Sequence, residues 1–500
     1  MSPRAGTGLQ AALALLLLNV LLTLQNRWPT PWPAVVPGVS LELVLAVAAL
    51  ALWVGWHRRA PGTRAVRWLA GSSAFVIAAH YLDSTSAALM GRPLNAYWDA
   101  PHALSVLRMS GIGPWRMAFG ALAVVLLLAL LYLLVRACWR RLGTALAHSA
   151  AWRRGVLLGA ALLLAVFAAH DHVGRDTRFV FAQPTTPALA RQVELLVAAQ
   201  MPGGAALTPS PDFARHSLAG LHRSDVLLLF AESYGACTLD DPAQARALAP
   251  AREQLLQQLM AGGRGVVSAR LVSPTFGGSS WLAHAAVLAG VDTHDPGDYE
   301  RLLASQRPSL VQHFRRHGWR TVNWMPGLQK PWLEGRFWDF DRYGDAGNIG
   351  YAGLPWGHWR IPDQAALSLL HAQELAVPAA QREPGFAVVA TLAGHLPFVP
   401  LPPLLPDLAH AADPQAYTAA QLAAAQQVPG TSRDFSGTPA YLDSLRYTFR
   451  WLGAYLDNEA PADLVAVVLG DHQPWAVVSG CDASREGPVD VMTPDAALLG

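Results

Sequence analysis

The apolar positions divide the chain in two. Through the first third they come in long runs, at 9–24, 39–56, 68–90, 117–138 and 155–170. Each approaches the roughly 20 apolar residues that a helix needs to cross a bilayer, so five spans are predicted. The third run is the most polar, with His80 and Asp83 inside it. Polar groups at that depth face the bundle or an interface. The first run, with Arg4 ahead of it, has the outline of a signal peptide, but no small-residue cleavage site follows and further runs do. Beyond residue 225 the runs shorten. DVLLLF (225–230) and LVAVVLGDH (464–472) read as buried strands, and 266–272, 321–324 and 386–391 as further strands. Helical patterns fall between them: 252–260, 281–288 closing at Gly290, and 441–456 with Leu442, Leu445, Phe449, Leu452 and Leu456 on one face.

Strands alternating with helices predict a mainly parallel central sheet. The predicted fold is an N-terminal five-helix transmembrane bundle (1–170), a juxtamembrane segment (171–224) and an α/β domain (225–500). In the middle segment, Thr186-Pro187 opens a helix carrying Val193, Leu196 and Val197, which lies on the membrane or packs as a linker helix on the soluble domain. Residues 201–211 read as a Gly/Pro loop, 332–343 as an aromatic-rich loop with packing and substrate roles, and 399–439 as a mobile surface insertion.

Arginines orient the spans. Arg58, Arg59, Arg64 and Arg67 follow the second run, and Arg136, Arg140, Arg141, Arg153 and Arg154 follow the fourth, whereas the loop after the first has only Arg27. By the positive-inside rule the arginine-rich loops and the N-terminus are cytoplasmic, and the chain from about residue 171 lies outside the cytoplasm. Composition agrees with this division: hydrophobic residues make up 52% of the chain and charged residues 14%, and the deficit of charge is concentrated in the first third. A net charge of +2 gives no reason to expect a nucleic-acid partner. Cys138, Cys237 and Cys481 have neither zinc-ligand spacing nor a disulfide framework, and pairing of Cys237 with Cys481 stays open.

The chemistry gathers at strand ends. Glu232 follows one apolar strand, Asp471-His472 another, and Gly394-His395 a third. In a parallel sheet these positions share one edge, and carboxylates with an imidazole there suit a metal ion. The competing reading is a set of helix caps and surface residues. TFGGSS (275–280) places Ser280 at a strand–turn–helix junction, where a helix N-terminus favours an anion. The alternative there is that Ser279 or Ser280 simply caps the helix. His284, one turn on, faces either the site or the core.

Taken in order, AES (231–233), FGGSSW (276–281), TLAGHLPF (391–398), GDHQP (470–474) and the weaker WGHWRIPD (356–363) resemble the motifs of the alkaline phosphatase/sulfatase superfamily. The likeness is nearest to its membrane-anchored branch, the lipoteichoic acid synthase, phosphoglycerol and phosphoethanolamine transferases. The resemblance implies that Glu232, Ser280, Asp471 and His472 hold one divalent metal ion, Mn²⁺ or Zn²⁺ first, with Mg²⁺ and Ca²⁺ as alternatives. It implies that Ser280 is the nucleophile, chosen over Ser279 by its spacing to Gly290, and that His395, Trp332 and Arg336 bind substrate. The implied partners are a phospholipid donor, an envelope glycan or lipid acceptor and the membrane itself; the implied location is a bacterial-type inner membrane, with the catalytic domain outside the cytoplasm. FGGSSW lacks the Pro and Arg of the sulfatase motif, which weighs against sulfate-ester hydrolysis. The rivals are a phosphodiester or sulfate-ester hydrolase of the same superfamily and a non-catalytic envelope-assembly protein.

Overall fold

The structure is a computed structural model that describes residues 3–104, 113–170, 178–200, 207–330, 332–405, 407–428, 437–480 and 482–499. Cys481 and the 201–206 part of the predicted loop lie outside these residues. The chain forms two compact units, one of 1–89 and 93–201 and the other of 90–92 and 202–500.

Helices occupy all five apolar runs of the first unit: α1 (Pro3–Leu22), α2 (Leu41–His57), α3 (Thr63–Met90), α4 (Pro114–His148) and α5 (Ala150–Ala168). Among the described residues only α4 and α5 are both long and apolar enough to cross a membrane. Five such helices are not shown: the apolar stretches Thr7–Leu22 of α1 and Leu41–His57 of α2 are shorter, and α3 is long but interrupted by Ser72, Ser73, His80 and Asp83. Asp83 is paired with Arg191 at 3.2 Å, on α6 (Thr186–Gln200). One expectation is corrected: α4 continues through Arg136, Arg140 and Arg141 to His148, where a loop was expected. That stretch has no Pro, and its single Gly143 does not stop a helix. A short hairpin, β1 (Leu24–Asn26) with β2 (Pro33–Val35), completes the unit.

α4 is apolar on all sides along its first half. Leu122, Val125, Leu126, Leu127 and Leu130 are each more than half exposed. A contiguous apolar surface of this kind marks a face that lipid or protein covers.

The second unit is built on a seven-stranded sheet of β3 (Val226–Ala231), β4 (Gly265–Val272), β5 (Arg320–Met325), β6 (Arg342–Asp345), β7 (Gly385–Ala390), β8 (Val465–Gly470) and β9 (Glu486–Thr493). Its order is β4-β9-β8-β3-β7-β5-β6. The five strands from β8 to β6 are parallel, and β9 is antiparallel to both its neighbours. The mixed, mostly parallel sheet agrees with the expected α/β class.

β3 shows why the sheet is covered on both faces. Leu227, Leu229 and Ala231 enter one core with α7 (Pro242–Ala261), α10 (Asp363–Leu370) and α11 (Thr438–Asn458). Val226, Leu228 and Phe230 enter another with α8 (Ser280–Ala289) and α9 (Leu310–Arg316). An unbroken apolar run is what a strand with two buried faces requires. Its five larger side chains stabilise the fold by roughly 1.5–3 kcal/mol each.

Three further expectations are revised. α7 starts at Pro242, capped by Asp241, and carries Pro250 inside it, a residue that reads as a boundary in sequence. α11 is buried nearly all round, because its polar Ser444 and Thr448 turn their hydroxyls back onto the helix carbonyls of Tyr441 and Ser444. The 399–439 insertion is not simply a surface excursion. Leu408, Ala411 and Tyr417 are buried, and the Tyr417 hydroxyl accepts from Gln364 Nε2 at 2.6 Å; 429–436 lie outside the described residues.

Candidate active site

Register brings the first two carboxylates together. β3 and β8 pair in parallel with Ala231 opposite Gly470, so the next residues, Glu232 and Asp471, leave the same sheet edge side by side. Gly470 permits this: a Cβ there would lie 1.7 Å from the Tyr234 carbonyl oxygen. Glu232, Asp471 and His472 are all buried and offer ligand atoms within 4.8 Å of one another. The Ser280 hydroxyl, at the start of α8, lies 3.2 Å from Glu232 Oε2 and 3.0 Å from His472 Nε2. The four residues that the resemblance implied as metal ligands therefore meet at one place.

Neighbouring groups aim these atoms. His472 Nδ1 lies 2.8 Å from the Gln473 carbonyl and must carry the proton to donate there. In the neutral ring that leaves the Nε2 lone pair facing Ser280 and the carboxylates. Asp471 Oδ1 accepts from the backbone N–H of Ser233 (2.7 Å) and of His472 (2.8 Å). Asp471 Oδ2 is buried with no hydrogen-bond partner. His472 Nε2 stands 3.7 Å from that oxygen and 3.5 Å from Glu232 Oε1. Two carboxylates, one imidazole lone pair and one hydroxyl around an unsatisfied oxygen form a donor set that fits a divalent cation of the Zn²⁺ or Mn²⁺ kind.

The electrostatics belong to a tightly coupled pair. Burial raises the Glu232 carboxyl, but His395 and His472, with a hydrogen bond from Ser233, outweigh it and hold Glu232 below the usual range. Burial, reinforced by Glu232, pushes Asp471 up to about 6. Burial lowers His472, but Asp471 and Glu232 more than reverse this and raise it. His284 is pushed down to about 4 by burial, against the pull of Asp471.

A cavity of about 260 Å³ opens on the site. Its lining includes Glu232, Ser280, Trp332, Trp338, Trp359 and His395. His395 is held edge-on against Trp359, with ring centroids 4.6 Å apart, and its Nδ1 donates to the Leu396 carbonyl at 2.8 Å. Asp363 fixes this loop from below by accepting the N–H groups of Leu392 (2.7 Å) and Ala393 (3.0 Å). Burial pushes Asp363 up to about 6, although those two N–H groups oppose the shift. The loop also comes close to β3, since a Cβ on Gly394 would lie 2.0 Å from the Glu232 carbonyl oxygen. Arg336 is exposed and lines a different groove, with Arg307 and Arg316. The aromatic-rich stretch thus delivers Trp332 to the cavity and Arg336 elsewhere, because the one-turn 3₁₀ helix Leu333–Phe337 separates their directions.

Ser279 occupies the N-cap position of α8, but at φ 63° and with no side-chain cap hydrogen bond. Of the two roles open to Ser279, turn or cap, the cap contact is absent. Three positioning residues carried little sequence signal as such. Ser233 donates its N–H to Asp471 and its hydroxyl to Glu232 Oε1 (2.9 Å), and Thr391 Oγ1 accepts the Glu232 N–H at 3.0 Å. Both lay inside motifs noted for other residues, and Asp363 lay in the weaker one. His284 faces the site: its Nε2 stands 3.8 Å from Asp471 Oδ2.

No family model and no curated protein matches the chain. Among solved structures it is similar to a protein of the alkaline phosphatase superfamily from Vibrio parahaemolyticus, at 15% identity over 61% of this chain and 70% of that one, TM-score 0.37. It is also similar to a lipoteichoic acid synthase from Listeria monocytogenes, at 13% identity over 57% and 69%, TM-score 0.38. A third is a phosphoglycerol transferase from Streptococcus pyogenes in complex with sn-glycerol-1-phosphate, at 13% identity over 54% and 68%, TM-score 0.33. At these identities and TM-scores the likeness is at most one of fold.

Proposed function

We propose that the protein is a membrane-bound, metal-dependent phosphotransferase. It moves a phospho-substituent, phosphoglycerol or phosphoethanolamine, from a phospholipid to an envelope glycan or lipid acceptor. The observation that carries this reading is the Ser280 hydroxyl within hydrogen-bonding distance of both Glu232 and His472, beside the unsatisfied Asp471 Oδ2. An ordinary serine hydroxyl is a weak nucleophile and needs such a setting. Glu232, Ser280, Asp471 and His472 would hold one divalent cation, which when bound lowers the serine pKa and neutralises charge developing on the phosphoryl oxygens.

In the first half-reaction a bond forms from Ser280 Oγ to phosphorus and the bond from phosphorus to the lipid oxygen breaks. The serine proton is held by Glu232 Oε2, the nearest carboxylate oxygen that is not accepting from Ser233. It ends on the departing diacylglycerol oxygen. His395, across the cavity, and the N-terminus of α8 favour the anionic phosphoryl group. In the second half-reaction an acceptor hydroxyl oxygen bonds to the same phosphorus, the bond from phosphorus to Ser280 Oγ breaks, and the acceptor's proton ends on that oxygen. Trp332 and Trp359 supply apolar walls that position either substrate and exclude water. In this reading the chain crosses the inner membrane several times and the second unit lies outside the cytoplasm, so that the site meets the head group of a lipid donor.

The test incubates the purified full chain with phosphatidylglycerol or phosphatidylethanolamine and Mn²⁺ or Zn²⁺, without acceptor. Diacylglycerol release and a phospho-adduct on the peptide containing Ser280 are expected. Neither appearing with any donor–metal pair would overturn the reading; diacylglycerol with steady release of the free head-group phosphate would make the enzyme a hydrolase instead.

A further inference from the structure

His284 and Asp471 present two buried polar atoms to each other and satisfy neither. His284 Nε2 and Asp471 Oδ2 are 3.8 Å apart, and neither has a hydrogen-bond partner. The two residues are 8% and 1% exposed. Leaving two such atoms unpaired is costly, so a native pair of this kind calls for an explanation. The imidazole is not free to look elsewhere. It follows Ser280 by four residues on α8, one helical turn, and its ring is packed on Phe230 with centroids 4.0 Å apart.

Oδ2 has two lone-pair directions. His472 Nε2 lies 3.7 Å from it, on the side where Glu232 and Ser280 also converge. His284 is outside that close donor cluster, although its Nε2 reaches the same oxygen. We propose that His284 is a positioning residue for Asp471. Its Nε2–H donates to one lone pair of Oδ2 when a divalent cation engages the other, fixing the direction in which the carboxylate offers itself. Ligating carboxylates are commonly held by such outer hydrogen bonds, and losing one typically weakens metal binding 10- to 100-fold. Both the neutral Nε2–H tautomer and the imidazolium donate from this atom, so the proposal holds for either. It rests on the metal site of the functional reading.

The experiment measures Mn²⁺ and Zn²⁺ affinity of the detergent-solubilised full chain by competition with a chromophoric chelator, with thermal unfolding of the metal-free protein alongside. His284→Phe retains a ring against Phe230 and removes the donor; about 10- to 100-fold weaker binding is expected. His284→Gln retains an N–H and should recover a substantial part of that loss. Wild-type affinity in His284→Phe would overturn the inference and leave a packing histidine. Equal weakening in both variants, or weakening matched by earlier unfolding of the metal-free protein, would overturn it as well. A wild-type protein that binds neither cation would instead bring down the functional reading beneath it.

Discussion

Strand β3 has a buried carboxylate at each end, and the two are treated in opposite ways. Asp225, just before the strand, is closed off. Arg382 donates to it through both terminal nitrogens, at 2.6 and 2.5 Å, and the Gly385 N–H adds a third bond at 2.6 Å. Glu232, just after the strand, shares its surroundings with a second carboxylate, an imidazole and a serine, and its partner Asp471 keeps one oxygen unsatisfied. Burial alone therefore says little about role: Asp225 is 2% exposed and Glu232 8%. A buried charge with both oxygens answered holds the fold together. A buried charge left short of partners, at the carboxyl edge of a parallel sheet, is available to something that is not protein.

The contrast can be broken most forcefully at Ser280. Ser280→Ala should lower turnover by about 10⁴-fold or more, since removing a nucleophile disables the machinery around it. Unfolding should shift by no more than about 0.5 kcal/mol. Retained turnover, followed as diacylglycerol release, would show that this end of β3 is only structural.

The next largest effect belongs to the other end. Asp225→Ala strands the Arg382 guanidinium, 13% exposed, and should cost about 3–5 kcal/mol of stability. Its metal affinity, measured on the folded fraction, should equal that of the wild type. A variant as stable as its parent, or one that has lost metal binding, would blur the division.

A third effect is pH-dependent and tests the loop that carries His395. Asp363 is raised from 3.8 to about 6 by burial. The folded protein therefore holds this proton more tightly than the unfolded chain does. The resulting stability is fully present below about pH 4 and is lost as the pH rises through about 6. Relative to Asp363→Asn, which has no charge to bury, the wild type should lose up to roughly 3 kcal/mol across that window. Parallel unfolding profiles for the two proteins between pH 4 and 7 would contradict it.

The smallest effect is expected at Ser279. With no side-chain cap bond to lose, Ser279→Ala should change stability by less than about 0.5 kcal/mol and leave turnover intact. A phospho-adduct on Ser279 would reverse the assignment of the two serines.

Much of this was legible in the chain itself, for identifiable reasons. The runs ending in Glu232 and Asp471-His472 point to buried parallel strands because they are only six residues long, short for a buried helix, and are followed at once by charge. Ser280 was reachable through the glycines before it and Gly290 after it. What sequence could not supply is register. That Ala231 stands opposite Gly470, rather than one residue away, is decided by packing on both sheet faces, and it alone makes Glu232 and Asp471 neighbours. Direction is equally hidden. Trp332 and Arg336 lie four residues apart, yet one lines the cavity and the other a separate groove. Apolar runs likewise announce helices in the first unit without stating how many are long and apolar enough to cross a bilayer, because His80 and Asp83 dilute α3.

The order in which the strands join the sheet has a consequence for how the protein matures. Among the described residues β4, which leads into the Ser280 turn, pairs with no parallel strand; it joins the sheet through β9. Ser273, in the same turn, bonds through its N–H to the Arg485 carbonyl and through its hydroxyl to that of Asp471. The support of the Ser280 turn thus includes residues synthesised about 190 to 210 positions after it. A chain still emerging from the ribosome or the membrane can lay down β3, β5, β6 and β7 and display Ser280, but it cannot seat it. The turn's full support therefore waits for residues 486–493, and a chain cut before β9 is expected to leave Ser280 unseated.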